Sequence, residues 1–400
     1  MRIFLNILIF CIISPSLLAT DLWQFENRVA ITDTAKKGVF HHLEGAGRKH
    51  IAVAGGTVAV VWEDDSSGDP QIYLATKKAG DTRFAAEIRV SNGLEAYEPA
   101  IIAAENTSFI IAWEQDGVVF ARSMNQQLSK EVRLSSDTAS QVSLAALDNR
   151  VFAVWREQQG NSWSLWLARL SPETSGELTL RSKNRVETKQ LDTPVLYPTL
   201  AANDTGLMVA WEDRQSGHTR LKYSFSDNEG RTFAEPQYLN EFFSNRNEYD
   251  KGSGVTRVSM ATFAEDEIVA TWMDKRRGGA GYGIFAATGS GNSFGPNEKV
   301  HGEDGDKLPH YNPATTGNRA GDFVVTWDDY RLGNSDIWLS SYNENSEWSR
   351  DYSPGPASGK GEQTHASVTL DESSGLHLVW VERDEIDGPT RLWYSYAQSR

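Results

Sequence analysis

Short runs of β-branched and other apolar residues, each ending in tryptophan and then polar residues, recur along the whole chain. Seven tryptophans end these runs, about 50 residues apart: Trp62, Trp113, Trp155, Trp211, Trp272, Trp327 and Trp380. Turn-forming residues separate further strand-like runs around each of them. In the second unit, four such runs span residues 100–103, 109–113, 118–121 and 132–134. Four short strands per repeat, with no helical periodicity between them, are typical of a β-propeller blade.

The two ends of the chain predict how the propeller closes. The seventh unit stops after a third strand that contains Leu392 and Tyr394. A spare strand lies near the N-terminus, where residues 28–35 resemble the fourth strand of the second unit, residues 132–139. We therefore predict an all-β fold, a single seven-bladed β-propeller over residues 20–400, with four-stranded blades. The N-terminal strand completes the last blade, which protects the sheet edges.

The first nineteen residues are predicted to be a signal peptide. Arg2 precedes an apolar run over residues 3–13, and Ala19 is the expected last residue before cleavage. The run is too short to span a bilayer, and no later segment approaches the roughly 20 apolar residues that a transmembrane helix needs. We expect an exported protein, periplasmic or extracellular, without membrane insertion. Cys11, the single cysteine, lies inside the signal, so neither disulfides nor thiolate chemistry are expected after cleavage.

Charge and residue spacing limit the classes of partner. The formal net charge is -15, from 39 Lys+Arg against 54 Asp+Glu. An acidic surface repels phosphate backbones, so no nucleic-acid partner is expected. The histidines lack metal-ligand spacing, and Asp304 with Asp306 supplies too few oxygens for calcium. We therefore predict no metal site and no cofactor.

One segment resembles the BNR or Asp-box repeat of the sialidase superfamily, whose pattern is S-x-D-x-G-x-[ST]-[WF]. The matching residues are Ser226, Gly230, Thr232 and Phe233, with Asn228 in place of the aspartate. Weaker copies lie at residues 291–294 and 341–348. The resemblance implies a propeller whose box joins the third and fourth strands, on the face opposite the active site. Sialidases have six blades and an early Arg-Ile-Pro motif. With seven repeats and no such motif, sialidase activity is not implied.

A second repeated feature is the polar residue two positions after each tryptophan. These residues are Asp64, Gln115, Glu157, Asp213, Asp274, Asp329 and Glu382. A feature found in every blade usually belongs to the fold, so we interpret them as turn-forming groups. The alternative is a carboxylate ring that supplies acid–base chemistry or binds a cation.

Features that only some blades carry are better candidates for a site. Candidate ligand-binding residues are Arg214, Arg246, Arg257, Arg276 and Arg331, whose planar forks match carboxylate or sulfate groups. The alternative is a local Asp–Arg pair in each turn. Two loops that lack the repeat pattern, residues 240–257 and 301–312, contribute candidate catalytic residues. These are Tyr249, Asp250, His310 and Tyr311, suited to nucleophilic or general acid work beside aromatic rings that stack on sugars.

The sequence supports two functions. We predict an exported propeller that binds a carbohydrate or extracellular protein on its loop face without catalysis, because no catalytic signature such as a G-x-S-x-G elbow is present. The alternative is a sialidase-like glycoside hydrolase or another carbohydrate-active enzyme. The Asp-box resemblance and the clustered arginines, tyrosines and carboxylates favour that alternative.

Overall fold

The computed structural model describes residues 22–32, 38–43, 45, 47–104, 108–187, 191–215, 218–241, 254–276, 281–342 and 347–400. In this part of the chain, strands β1–β30 form seven antiparallel sheets, and each repeat tryptophan lies on the second strand of one sheet. Two short 3-10 turns, Glu303–Gly305 and Gly355–Ala357, are the helical segments of the described residues. The all-β, seven-bladed propeller is therefore confirmed.

The strands follow the same order in each blade, from the central channel outward. The first blade has β3 (His41–His42) and β4 (Ile51–Ala54) innermost, then β5 (Thr57–Asp64), β6 (Gln71–Lys78) and β7 (Ile88–Arg89). The second has β8 (Ala96–Ala104), β9 (Ser108–Gln115), β10 (Val118–Met124) and β11 (Val132–Arg133). The third has β12 (Ala139–Leu147), β13 (Arg150–Gln159), β14 (Ser162–Pro172) and β15 (Leu178–Arg185). The fourth has β16 (Val195–Asn203), β17 (Gly206–Asp213), β18 (Arg220–Ser226) and β19 (Gln237–Tyr238).

The remaining blades keep this order with small changes at the outer edge. The fifth has β20 (Val255–Phe263), β21 (Glu267–Asp274), β22 (Gly283–Ser290), and then β23 (Ser293–Phe294) and β24 (Glu298–Lys299). The sixth has β25 (His310–Gly317), β26 (Phe323–Asp329) and β27 (Asp336–Tyr342), with isolated bridges from Trp348 and Tyr352 at the position of a fourth strand. The seventh has β28 (Glu362–Leu370), β29 (Leu376–Arg383) and β30 (Thr390–Ser399).

The N-terminal strand closes the seventh blade, as the sequence predicts. β1 (Trp23–Phe25) and β2 (Val29–Ala30) both pair antiparallel with β30, with Trp23 opposite Ser399. Arg28 stacks its guanidinium 4.3 Å from the Trp393 ring and donates Nη1 to a carboxylate of the same blade. Closure therefore joins the two ends of the described chain into one sheet.

The core lies between neighbouring blades, and the repeat tryptophans fill it. All seven indoles are fully buried. Each packs against apolar residues of the preceding blade, as Trp155 does against Ile110 and Val119 and Trp272 against Met208 and Tyr223. The tryptophan of the first blade packs on the seventh, so the ring is continuous. Truncating such a side chain to alanine typically costs about 3–5 kcal/mol, which explains why the repeat is built around it.

Strand direction defines two faces. The second strand of each blade ends where the first begins, as Gln115 pairs with Ala96, and we call this end the loop face. The box segment of the fourth blade joins β18 to β19 at the other end. There the Gly230 N–H donates to Ser226 Oγ at 2.9 Å, and the Thr232 N–H donates to Asn228 Oδ1 at 3.0 Å. Ser and Asx side chains thus close this hairpin as turn chemistry expects.

Candidate functional site

The residues two positions after the repeat tryptophans form what we call the turn ring: Asp64, Gln115, Glu157, Asp213, Asp274, Asp329 and Glu382. In five blades this side chain accepts the indole N–H of its own tryptophan, as Asp64 Oδ2 does from Trp62 Nε1 at 2.7 Å. In four it accepts a backbone N–H two residues later, as Asp274 does from Arg276 at 2.8 Å. These bonds fold the turn after the second strand, in agreement with a structural role.

Two of the candidate arginines are held within this ring. Arg331 donates Nε and Nη2 to Asp329 Oδ2 at 2.9 and 2.6 Å, and Nη2 also to Asp351 at 2.8 Å. Arg276 makes the same fork to Asp274 at 2.9 and 2.7 Å. Their side chains are only 9% and 12% exposed. The structure therefore shows local Asp–Arg pairs, and the role of these two arginines in ligand binding stays a prediction.

The candidate catalytic residues of the sixth blade also serve the fold. His310 is fully buried, with Nδ1 3.0 Å from Asp329 Oδ2 and Nε2 3.0 Å from the Gly305 carbonyl oxygen. Burial alone would raise the pKa of Asp329, but the contacts with His310 and Arg331 outweigh it. They hold the pKa of Asp329 well below its usual range. Tyr311 is half-buried and packs edge-on against Tyr330, with ring centroids 6.1 Å apart. His310 is thus buried among groups of its own blade, and a catalytic role for it stays a prediction.

The other candidates divide into two groups. Arg257 stacks its guanidinium 3.9 Å from the Tyr197 ring beside the channel. Arg214 is half-exposed, with Nη2 3.8 Å from a carboxylate oxygen of Glu212. The remaining three candidates lie outside the described residues: Arg246, Tyr249 and Asp250.

A second ring lies at the channel end of the loop face. The first strand of six blades contains a β-bulge, seen as a register shift near its start. At each bulge one non-glycine residue has φ between 49° and 62°. We call these residues the bulge ring: Glu98, Gln141, Tyr197, Arg257, Asn312 and His365. Bulges re-aim side chains, and here the same backbone position carries six different chemistries.

Side chains of the preceding blade hold these bulges. In four cases the holding residue follows the repeat tryptophan directly: Glu63, Glu114, Glu212 and Asp328, which accept the bulge N–H of the next blade. The Glu63 Oε2 accepts the Glu98 N–H at 3.0 Å. In the fourth blade the Tyr197 N–H donates to Gln141 Oε1 at 2.7 Å instead. The residue one position after the tryptophan thus faces the channel and links blade to blade.

In the first blade, the chain between β3 and β4 crosses the channel. We call residues 43–50 the crossing segment; residues 44 and 46 are outside the described part. Thr199 Oγ1 donates a hydrogen bond to the Gly47 carbonyl oxygen at 3.3 Å. Gly47 itself has a left-handed backbone, with φ +72°. A Cβ at Gly47 would lie 2.5 Å from the Val258 carbonyl oxygen. Arg48 donates Nε to the Val142 carbonyl at 3.0 Å. The described residues of the segment therefore contact the third, fourth and fifth blades.

A pocket of about 330 Å³ opens above this segment, between the seventh, first and second blades. Its lining is mainly polar and comprises His41, His42, Leu43, Glu63, Tyr97, Glu98, Pro99, Glu114, His365, Val381 and Arg383. Two members of the bulge ring, Glu98 and His365, therefore face it. We call it the channel pocket.

Glu98 and Glu114 form a carboxyl pair in the channel pocket. Both carboxyls lie beside the same guanidinium nitrogen: Arg48 Nη2 contacts Glu98 Oε2 and is 3.7 Å from Glu114 Oε1. Two carboxyl groups that share one buried site cannot both ionise easily, which favours one proton between them. Burial and the neighbouring Glu98 raise the pKa of Glu114 well above its usual range. Burial also disfavours ionised Glu98, but Arg48 and the bond from Glu114 outweigh it and lower the pKa of Glu98. Perturbed acids of this kind in a concave pocket are typical of functional sites.

A second perturbed acid lies beside this pocket. Asp328 accepts two hydrogen bonds, from Asn312 Nδ2 at 2.7 Å and from the backbone N–H of His365 at 2.9 Å. Burial raises the pKa of Asp328 to about 7. Burial, together with the smaller effect of the Arg383 charge, lowers the pKa of His365 to about 4. His365 is therefore neutral at neutral pH and presents an uncharged ring to the pocket.

Glu98, Glu114, Arg48 and Asp328 were not among the residues predicted from the sequence. The predicted residues lay two positions after each tryptophan or just beyond, and in long loops. A signal was nevertheless present. Each bulge residue lies two positions before a small residue of the first strand, such as Ala100 or Thr199, and differs from blade to blade. Variation at a fixed repeat position would have indicated the pocket.

The described residues contain neither a metal-binding cluster nor a membrane-spanning helix. No group of three or more His, Cys, Asp or Glu side chains is placed to hold a metal ion. Among the same residues, there is no helix of the length and apolarity needed to cross a membrane.

Comparisons with known proteins define the class by fold. No family model matches the sequence, and no curated protein matches it. Solved structures do match. A GH93 α-L-arabinofuranosidase of Fusarium graminearum in complex with arabinobiose has 11% identity and a TM-score of 0.52, covering 94% of this chain and 98% of that one. A PL25 ulvan lyase bound to a GlcA–Rha3S saccharide has 9% identity and a TM-score of 0.57, covering 92% and 95%.

A third match shows how far this likeness extends. The β-propeller domain of the Trilobed protease of Pyrococcus furiosus has 9% identity and a TM-score of 0.53, covering 91% of this chain and 96% of that one. The chain thus shares its architecture with a glycosidase, a lyase and a domain of a protease. At these identities the likeness establishes the propeller fold, and the Asp-box relationship to sialidases stays a prediction.

Proposed function

We propose that the protein is a carbohydrate-active enzyme that binds a saccharide in the channel pocket and protonates the departing oxygen of a glycosidic bond. The two carboxyls of Glu98 and Glu114, which share the Arg48 guanidinium and line a concave polar pocket, are the observation that carries the proposal. Support also comes from the two structural neighbours whose bound ligands are saccharides. Export to the periplasm or beyond, which the N-terminal residues favour, would place such an enzyme among extracellular glycans.

The chemistry follows from the pair. When a glycosidic C–O bond breaks, the electron pair stays on the departing oxygen, in hydrolysis as in elimination. A carboxylic acid that gives its proton to this oxygen contributes typically 10²–10⁴-fold to the rate. An acid does this best when its pKa lies near the working pH, and burial has moved that of Glu114 in this direction.

The test is turnover by the purified protein on a panel of neutral and acidic oligosaccharides and polysaccharides. Products would be detected by mass spectrometry and by the appearance of new reducing ends. Shortened saccharides from wild type, absent with Glu114→Gln, would support the proposal. Intact saccharides with no retained protein on any of them would contradict it.

A second function, saccharide binding without turnover, is favoured by one specific observation. Glu114 and Glu63 each accept a backbone N–H of the next blade, so both carboxyls also have a structural partner. A glycan array distinguishes the two functions, because a binding protein is retained on sugars that remain chemically unchanged. The sialidase type of enzyme has no separate support in the pocket, where the arginine closest to the carboxyl pair is engaged by it.

A further inference from the structure

The crossing segment carries one charged side chain into the wall of the channel pocket. Arg48 is only 2% exposed. Its Nε is fixed by the Val142 carbonyl of the third blade at 3.0 Å, and its Nη2 contacts Glu98 Oε2. The same Nη2 lies 3.7 Å from Glu114 Oε1. The guanidinium is thus anchored on one blade while it touches one carboxyl closely and the other more distantly.

This asymmetry decides which carboxyl is ionised. A charge-assisted hydrogen bond stabilises a carboxylate more than a carboxylic acid, and Coulomb attraction falls with distance. Glu98 has the closer guanidinium contact, whereas Glu114 Oε1 has the backbone N–H of Gln141. One proton shared by the two carboxyls therefore resides on the carboxyl that is farther from the cation.

We propose that Arg48 is a positioning residue that keeps Glu98 ionised and so places the shared proton on Glu114, the carboxyl that would donate it to the saccharide. This inference rests on the proposed function for its catalytic meaning, but the location of the proton is independent of any substrate. This role would explain why the crossing segment carries an arginine at position 48, because the segment brings Arg48 from the first blade to the carboxyl pair.

Other charged groups face the pair and act in the same direction. Arg257 and Arg156 both lower the pKa of Glu98, after Arg48 and the bond from Glu114. The pKa of Glu98 is lowered and that of Glu114 is raised, as expected for a pair in which the proton sits on Glu114. These arginines belong to the third and fifth blades, and Arg48 is the cation that has a direct contact with Glu98.

The direct experiment is carbon-13 NMR of the protein labelled at the glutamate carboxyl carbons. Resonances of the pair are assigned with Glu98→Gln and Glu114→Gln. At about pH 5.5, roughly one unit above the ordinary glutamate pKa, we expect the Glu114 carbon at a protonated position and the Glu98 carbon at an ionised one. A proton on Glu98, or two ionised carboxylates, would overturn the inference even if no variant of Arg48 folds.

Two variants sharpen the test. Arg48→Met removes the cation and should raise the pKa of both carboxyls, moving their titrations and the pH–rate profile upward by about one unit or more. Arg48→Lys keeps the charge and should leave the profile near that of wild type. A folded Arg48→Met protein with unchanged titrations would contradict the role of Arg48. If the proton sits on Glu114 but no saccharide is cleaved, the proposed function fails and this assignment stands.

Discussion

The two residues that follow each repeat tryptophan have different roles, and Asp328 and Asp329 show this most clearly. Asp329 belongs to the turn ring and is paired with Arg331 and His310 between the sixth-blade strands. Asp328 faces the channel and holds the bulge of the seventh blade. The pKa of Asp329 is well below its usual range, and that of Asp328 is raised to about 7. The position two after each tryptophan therefore builds the blade. The position directly after the tryptophan varies from blade to blade, and in three blades it lines the pocket, as Glu63, Glu114 and Val381.

The largest stability effect is expected from the turn ring. Arg331→Met leaves Asp329 and Asp351 without their shared guanidinium in a buried site, which should lower the free energy of unfolding by about 3–5 kcal/mol. Urea unfolding of the variant gives this value directly. The matched control is Arg214→Met, because Arg214 is half-exposed. A loss below about 1 kcal/mol for Arg331→Met would show that the ion pairs of the turn ring contribute little to the free energy of unfolding.

The adjacent aspartates should also respond oppositely to pH. The folded-state pKa of Asp329 is below its unfolded value, so its contribution is present above about pH 4 and is lost as the pH falls. The folded-state pKa of Asp328 is raised, so its contribution is present below about pH 4 and is lost as the pH rises through about 7.

Unfolding free energies measured between about pH 3 and 8 test these signs. Asp328→Asn should remove the decline of stability between about pH 4 and 7, and Asp329→Asn should remove the decline toward acid. Each change is expected to be a few kcal/mol at most across its window. Identical pH profiles for the two variants would show that these adjacent aspartates do not differ in their effect on stability.

A smaller effect is expected at the box hairpin, on the face opposite the pocket. Ser226→Ala removes the hydroxyl that accepts the Gly230 N–H and so should cost about 0.5–1.5 kcal/mol. Thermal unfolding monitored by tryptophan fluorescence would measure it. Activity on any saccharide that wild type cleaves should be unchanged. Loss of turnover with retained stability would indicate that the face carrying the box hairpin takes part in the reaction, and it would contradict a site in the channel pocket.

The smallest effect is expected for Arg214, one of the arginines that the sequence suggested for ligand binding. Its side chain is 53% exposed, and its nearest carboxylate contact is 3.8 Å. Arg214→Ala should change the free energy of unfolding by less than about 0.5 kcal/mol. Calorimetric unfolding of the variant beside wild type checks this, and a loss of several kcal/mol would mean that Arg214 is part of the structural network.

Much of the fold could be predicted because its determinants are local and repeated. Seven apolar runs ending in tryptophan indicated the blades, and the spare strand at residues 28–35 indicated closure, which β2 at Val29–Ala30 confirms in pairing with β30. The turn acids were interpreted correctly for a physical reason. A carboxylate two positions after a buried indole can reach that indole N–H and the turn without help from another blade.

The site was harder to predict because it depends on distant parts of the chain. Arg48, Glu98 and Glu114 come from a crossing segment, a bulge and the end of a second strand. Glu98 and Glu114 lie on adjacent strands of the second blade, and Arg48 reaches them only when the crossing segment packs against the neighbouring blades. Arg276, Arg331 and His310 carry equally suggestive side chains, but their neighbours in the turn already pair them. Sequence alone gives the chemistry of a residue and not whether its partners leave it available.

We propose that chemistry takes place at the channel pocket and not at the turn ring. The decisive measurement is the turnover rate of Glu114→Gln beside Glu157→Gln, the same substitution in the channel pocket and in the turn ring, on whichever panel saccharide wild type cleaves. We predict a loss of about 10²–10⁴-fold for Glu114→Gln and a rate close to wild type for Glu157→Gln. Equal rates for the two folded variants would contradict the assignment of the pocket.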